Sequence, residues 1–358
     1  MLHGDSYLIS AVEKIALVGV PEWDRNRPMP PRALVLCPPG LEAQVFPPAV
    51  LDQISRSAAL PWGIVDPSKW RESPEQTSQA EVIISTWGMP GLDGEFLQAA
   101  PALKAVFYAA GSVKGFVTEE CWQRGIVVSS AWAANGIPVA EYSLGTILLS
   151  LKRFWHFSRM AREGDSTRDL HVPGCYHSKV GLVSLGAVGR ATARMLHPLE
   201  VVLLGHDPFL PGEQAAELGI SLVSLQELFR ECDVISIHTP WIPATERMIT
   251  GGLISSMKEG ATLINTSRGA VIAEDEMIEV LRRRPDLSAV LDVTYPEPPA
   301  QDSPLRSLPN VILTPHIAGS LQRECARMGS WMADELRRFA GGEPLRYGIN
   351  KAMLEKMA

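Results

Sequence analysis

Six short β-rich runs recur through the second half of this chain: Val180–Leu185, Val201–Leu204, Val234–His238, Thr262–Asn265, Ala289–Val293 and Val311–Thr314. Helix-like segments separate most of them, among them Ala187–Leu196 and Glu274–Arg284, where apolar residues return every three or four positions. Strands joined through helices run parallel, because each crossover brings the chain back to the same edge, and the helices then cover both faces of the sheet. This rhythm predicts a doubly wound nucleotide-binding domain. A fainter alternation precedes it, with ALVLC after Arg32, then Glu81–Thr86, Leu103–Ala109 and Gly125–Ser129 as strands. Pro48–Ser55 and Gly94–Ala99 read as helices between them. The amphipathic stretch Ala140–Arg153 predicts a long helix, Gly164–Ser178 an irregular segment and Leu321–Phe339 a helical tail. The first thirty residues, with Pro21, Pro28, Pro30 and Pro31, read as an irregular lead-in.

A length of 358 residues fits two domains, and 46% hydrophobic with 20% charged residues suits soluble globular cores. The net charge of −7 argues against a nucleic-acid partner, which would need a basic surface. No run of 18 apolar residues is present, so no membrane span is expected, and the start MLHGDSYLIS lacks the features of a signal peptide. Cys37, Cys121, Cys175, Cys232 and Cys325 are odd in number and far apart, neither a disulfide framework nor a zinc site. They read as reduced thiols of a cytoplasmic protein. The histidines show no metal-ligand spacing, and neither a GxSxG nor a GxxxxGK[ST] motif is present.

The segment VGLVSLGAVGRATARML follows a predicted strand and opens a helix. Ser184, Gly186 and Gly189 occupy the glycine places of a G-x-G-x-x-G turn, with serine in the first. Gly186 would let the backbone approach a pyrophosphate, Gly189 would let helix and strand pack closely, and the helix start (Ala187, Val188) would present free N–H groups to the anion. Ser184 is compatible with that turn if it keeps a negative φ, and its hydroxyl can then donate to a backbone or phosphate oxygen. Arg190 could reach the pyrophosphate. About twenty residues on, Asp207 ends the second strand. There it would either accept from the adenosine ribose hydroxyls, which favours NAD over NADP, or simply start a surface turn with Pro208.

INTSRG (Ile264–Gly269), LDVTYPEP (Leu291–Pro298) and TPHIAG (Thr314–Gly319), set behind this glycine turn, resemble the D-isomer-specific 2-hydroxyacid dehydrogenases. VSSAWAANGIPVAEYSLGTILLSLKR (Val128–Arg153) is similar to the segment that enters their cofactor domain. The resemblance spans roughly residues 103–342. It implies two Rossmann-like, doubly wound parallel-sheet α/β domains, with the cofactor domain inserted into a discontinuous substrate domain and the active site in the cleft between. In this chain the boundaries become 1–139 and 320–358 for the substrate domain and 140–319 for the cofactor domain. It also implies a homodimer, with the Ala140–Arg153 helix as contact.

By the same resemblance Arg268, Glu297 and His316 take the catalytic positions, and their chemistry suits a 2-keto acid. Arg268 can clamp carboxylate and carbonyl through its planar fork of donors. Hydride addition leaves charge on the carbonyl oxygen, which His316 can protonate, while Glu297 holds the imidazole and favours its charged form. Alone, each of the three is more often an ordinary turn or loop residue. Together they fall at the ends of successive predicted strands, where doubly wound sheets bind ligands.

Further positions carry over. Asp292 resembles the acid facing the nicotinamide carboxamide, Thr239 and Pro240 lie by the cofactor ribose, Thr266 lines the nicotinamide pocket, and Gly319 closes the TPHIAG motif. Ala110, Gly111 and Ser112 fall where the family binds the substrate carboxylate through backbone N–H groups, although members often have a second glycine there. Asn135 either contacts the cofactor or shapes a turn, and Trp87 and Trp132 either line a pocket or belong to the core. The expected function is hydride transfer between NAD(H) and a 2-keto acid/D-2-hydroxy acid pair, glyoxylate- or hydroxypyruvate-like or larger. The alternative is an NAD-sensing interaction protein of the same fold. With its end at Ala358 the chain is expected to lack the regulatory domain of many phosphoglycerate dehydrogenases, and the Glu–His pair argues against formate.

Overall fold

A computed structural model describes residues 29–164, 171–355 and 357. The expected lead-in over residues 1–28 and part of the irregular segment, residues 165–170, lie outside the described residues. In chain order the strands are β1 (Ala33–Leu36), β2 (Ile64–Val65), β3 (Val82–Ser85), β4 (Ala105–Tyr108) and β5 (Val127–Ser130). There follow β6 (Lys179–Val183), β7 (Val202–His206), β8 (Ile220–Leu222), β9 (Val234–Ile237) and β10 (Thr262–Asn265). Last come β11 (Ser288–Leu291), β12 (Val311–Leu313) and β13 (Gly348–Ile349).

Two compact units result. One contains Ile137–Gly319, and the other contains the described residues before 137 together with Ser320–Met357. The first has a seven-stranded sheet in the order β12-β11-β10-β9-β6-β7-β8, parallel throughout. The strand order reverses at β6, so the loop after β6 opens at the switch point where such sheets bind ligands. The second has a six-stranded sheet, β13-β5-β4-β3-β1-β2, parallel except that β13 pairs antiparallel with β5.

Each sheet is covered on both faces, which is why its strands are apolar on both sides. In the first unit Val183, Ile235, Leu263 and Leu291 meet the Leu225–Glu231 and Glu274–Arg283 helices. Their neighbours Leu182, Val234, Ile264 and Val290 meet Ile147, Leu151, Ala193 and Leu196 on the opposite face. In the second unit Val35, Ile84 and Phe107 pack against Met328, Met332 and Phe339 of the Cys325–Ala340 helix, and Leu34, Ile83 and Val106 against Phe96 and Cys121.

Pro48–Ser55, Gly94–Ala99 and Ala187–Leu196 are helices as read from the sequence. The long helix differs: it starts at Trp132 and runs to Leu151 with Pro138 inside it. Burial of Ala133, Ala134, Ile137 and Ala140 overrides the turn chemistry of Asn135-Gly136 and the proline. The Phe154–Arg162 helix was not anticipated; none of its residues is buried. β8 is a seventh strand at the sheet edge, too short and too polar to register as a pattern. Among the described residues no helix is long and apolar enough to cross a membrane. The five cysteines are free thiols, and burial pushes those of Cys37, Cys121 and Cys232 up to about 12.

Candidate active site

At the carboxyl end of β10, Asn265 builds the turn that carries Arg268. The buried Asn265 carboxamide oxygen accepts from Ser267 N at 3.0 Å and Ser267 Oγ at 2.8 Å, and its Nδ2 donates to Arg268 O at 3.0 Å. Gly269 follows because nothing else fits: an added Cβ would lie 2.0 Å from the carbonyl carbon of Thr294. The Arg268 guanidinium donates to Ser267 O at 2.7 Å. Burial pushes it below the usual arginine value, and Glu297 opposes this through its charge. A half-buried cation of this kind suits an incoming carboxylate.

Beyond β11, Glu297 stands between cis prolyl bonds at Tyr295–Pro296 and Glu297–Pro298. Its Oε1 lies 2.6 Å from His316 Nδ1, with both side chains partly open to solvent (38% and 48% exposed). An ionised carboxylate only accepts, so Nδ1 carries the proton of this bond and Nε2 is the nitrogen left for a ligand. His316 has φ +56, a left-handed conformation that costs a non-glycine residue about 1–2 kcal/mol. Asp292 holds it there. His316 N donates to Asp292 O at 3.0 Å, while Ile317 N and Ala318 N donate to the two carboxylate oxygens at 2.8 and 2.9 Å. Thr314 Oγ1 adds a 2.6 Å bond to Oδ1. Asp292 is 2% exposed, so these donors stand in for water around its charge. This loop-holding work was not legible from the sequence, which suggested only a contact to the nicotinamide.

The glycine turn after β6 departs from expectation at its first position. Ser184 has φ +70, not a negative value, because the turn imposes the left-handed conformation whichever residue stands there. Its hydroxyl lies 2.9 Å from Thr239 Oγ1 and so joins the turn to the end of β9. Gly189 is required sterically, since an added Cβ would meet Ser184 O at 2.3 Å. Gly186 is different: an added Cβ there would meet nothing within 4 Å. The open space lies at the N-cap of the ten-residue helix Ala187–Leu196, which has no side-chain cap. An uncapped helix start under open space fits a pyrophosphate. Arg190 folds back, its Nε donating to Leu185 O at 2.7 Å.

Asp207 follows β7 with its carboxylate already engaged. It accepts from Leu185 N at 2.7 Å, Phe209 N at 2.8 Å and Leu210 N at 3.2 Å. Three of roughly four lone-pair sites are thereby used, which leaves one for a ribose hydroxyl. Thr239 and Thr266 are buried, and the Thr266 hydroxyl lies 3.4 Å from Ser143 Oγ. Pro240 O accepts from the Thr245 hydroxyl. Beneath the turn both ring nitrogens of His238 are buried, with the ring near the place an added Gly189 Cβ would take, and burial pulls it down to about 4.

In the other unit the Ala110–Gly111–Ser112 loop follows β4. The Ser130 hydroxyl donates to the carbonyl oxygens of Ala110 (3.0 Å) and Gly111. An added Cβ on Gly111 would lie 3.4 Å from Asn135 Nδ2. Asn135 Oδ1 accepts from Ser320 N at 2.9 Å, a backbone-holding role. Trp132 packs edge-on against Tyr347 within the core, whereas Trp87 is exposed. Among the described residues no cluster of three His, Cys, Asp or Glu side chains is placed to hold a metal ion.

Comparison with known proteins shows what the chain as a whole is similar to. Residues 144–318 match the model of the D-isomer specific 2-hydroxyacid dehydrogenase NAD binding domain. The chain is 33% identical to the D-3-phosphoglycerate dehydrogenase of Archaeoglobus fulgidus over 265 residues, 74% of this chain and 50% of that protein. It is 30% identical to the glyoxylate reductase of Korarchaeum cryptofilum over 274 residues, 75% of this chain and 82% of that protein. It thus spans about half the length of the phosphoglycerate dehydrogenases it matches. Among solved structures, the Aquifex aeolicus D-lactate dehydrogenase complexed with NAD and lactic acid aligns with TM-score 0.65 at 26% identity. That alignment covers 87% of this chain and 96% of the other. The match of residues 144–318 to the NAD binding domain, with 30% identity to a glyoxylate reductase over 82% of its length, places this chain in the D-isomer specific 2-hydroxyacid dehydrogenase family.

Proposed function

We propose that this chain is an NAD-dependent dehydrogenase that interconverts a 2-keto acid and the matching D-2-hydroxy acid. The observation that carries the reading is the 2.6 Å pairing of His316 Nδ1 with Glu297, beside a half-buried Arg268 on the neighbouring strand end. A nicotinamide cofactor held at the glycine turn would supply a hydride to the carbonyl carbon. Arg268 holds the keto-acid carboxylate and polarises the carbonyl through its two-pronged donors. As the C=O electron pair moves onto oxygen, the imidazolium form of His316 passes its Nε2 proton to that oxygen and is left as the neutral Nδ1–H imidazole paired with Glu297. In the oxidative direction His316 takes the proton back.

Gly186, Ala187 and Val188 receive the pyrophosphate, with Ser184, Gly189 and Arg190 shaping the turn. Thr239 and Pro240 flank a ribose, and Thr266, Asp292 and Gly319 surround the nicotinamide. Asp207 accepts from one adenosine ribose hydroxyl and repels a 2′-phosphate, so NADH is preferred to NADPH. Ala110, Gly111 and Ser112 offer backbone donors to a carboxylate. The working form is a homodimer through the Trp132–Leu151 and Phe154–Arg162 helices, where Leu149 and Phe154 stand 39% and 45% exposed. Substrates are small or larger 2-keto acids such as glyoxylate and hydroxypyruvate. A panel of 2-keto acids, followed by loss of NADH absorbance, tests the assignment. Turnover of at least one acid, with little from NADPH, is expected. NADH binding without turnover of any acid would leave a nucleotide sensor instead.

A further inference from the structure

The geometry points to Tyr142 as a positioning residue for the proton donor, acting through Thr314 and Asp292 on the loop that carries His316. The inference rests on the dehydrogenase reading above. Tyr142 lies on the Trp132–Leu151 helix, and its hydroxyl is 2.9 Å from Thr314 Oγ1. Thr314 Oγ1 in turn donates to Asp292 Oδ1 at 2.6 Å. A threonine has one hydroxyl proton and an ionised carboxylate has none, so the proton between Tyr142 and Thr314 belongs to Tyr142. With Thr146 as a second hydroxyl at the Tyr142 oxygen, the bond toward the carboxylate runs one way: Tyr142 donates to Thr314, which donates to Asp292.

That chain ends on the carboxylate that holds both flanks of His316. Asp292 receives Ile317 N and Ala318 N through its side chain and His316 N through its main-chain oxygen. His316 sits at φ +56, a conformation it keeps only because its neighbours impose it. Donors in series polarise one another, so the Tyr142 hydroxyl strengthens the Thr314–Asp292 bond beyond what Thr314 alone would give. Removing it frees the Thr314 hydroxyl to turn away. Asp292 then loses one donor from its buried charge, and the 316–318 loop loses part of its hold. The His316 ring follows, and its bond to Glu297 loosens.

Tyr142→Phe keeps the ring and deletes the oxygen, so packing changes little. Misplacing a reacting group by a fraction of an ångström lowers the rate of the chemical step more than binding. The expected result in the full chain is a fall in kcat of about tenfold, with the keto-acid KM changed less than about twofold. A second readout needs neither cofactor nor turnover: the ring 15N shifts of His316, assigned by their loss in His316→Gln. They should show the Nδ1–H tautomer in the parent protein and a mixture in Tyr142→Phe. Thr314→Val should reproduce both effects, and the double variant Tyr142→Phe/Thr314→Val should equal Thr314→Val alone, because Tyr142 acts only through Thr314. Parent-like kcat and ring shifts in Tyr142→Phe would overturn the proposal, as would additive effects in the double variant. If no keto acid is turned over, the dehydrogenase reading fails, and the ring shifts still decide whether Tyr142 orders His316. Should Tyr142→Phe not fold, the Thr314→Val ring shifts decide: an unchanged tautomer overturns the chain and a mixture supports it.

Discussion

The carboxyl ends of the two sheets are built in opposite ways. In the Ile137–Gly319 unit nearly every group near Arg268, Glu297 and His316 is held by several short contacts. Asn265 braces the Arg268 turn, Gly269 presses on Thr294, and Asp292 gathers four donors around the His316 loop. In the other unit the Ser130 hydroxyl holds the Ala110–Ser112 loop, and a Cβ added at Gly111 would meet only Asn135 Nδ2, at 3.4 Å. Proton transfer tolerates little displacement, so the braced edge suits the role proposed for Arg268, Glu297 and His316, and the more lightly held loop suits the carboxylate contact proposed for Ala110–Ser112.

One glycine from each edge breaks or sharpens this contrast. Gly269→Ala drives a Cβ to 2.0 Å from the Thr294 backbone and should cost about 3 kcal/mol, with loss of activity. Gly111→Ala meets only Asn135 Nδ2 at 3.4 Å, so stability should change by less than about 1 kcal/mol while KM moves. Thermal denaturation of the pair decides; equal losses would abolish the distinction.

His238 gives the braced unit a weakness in acid. Both its ring nitrogens are buried with no partner among the described residues, and burial holds it down to about 4 against an ordinary value of 6.5. A buried neutral imidazole means that the unfolded chain binds the extra proton between those values. The stability it allows is therefore complete above pH 6.5 and is lost as pH falls toward 4, by roughly 3 kcal/mol in all. His238→Leu should flatten the acid limb of a denaturation series. A limb of undiminished slope would place the titration elsewhere.

Asp207→Ala leaves three backbone N–H groups without their acceptor and should cost about 1–2 kcal/mol while raising the NADPH/NADH ratio of kcat/KM. An unchanged ratio would confine Asp207 to capping the strand end. The smallest effect belongs to Ser184→Gly. Relief of φ +70 gains about 1–2 kcal/mol and loss of the Thr239 bond gives back about 1, so the melting temperature should barely move.

Much of this was legible in the sequence, for identifiable reasons. Strand and helix rhythm follows from apolar spacing, so every strand expected between residues 180 and 314 is present, and the Glu297–His316 pair came with its motif. What stayed hidden depends on contacts between distant residues. Nothing local to Tyr142 announces that it meets Thr314 across 172 positions. The φ of Ser184 is dictated by the turn, not by serine, and Pro138 inside a helix is tolerated because its neighbours are buried. Asn265 reads as an ordinary strand-end residue until its carboxamide is seen to form the Arg268 turn.

The central claim is that His316, steered by Glu297, is the proton donor to a 2-keto acid. His316→Gln tests it most directly, assayed against the best acid of the panel beside NADH binding by fluorescence. The account predicts a fall in kcat of about a thousandfold with NADH affinity unchanged. A variant that keeps full reductive activity would contradict it.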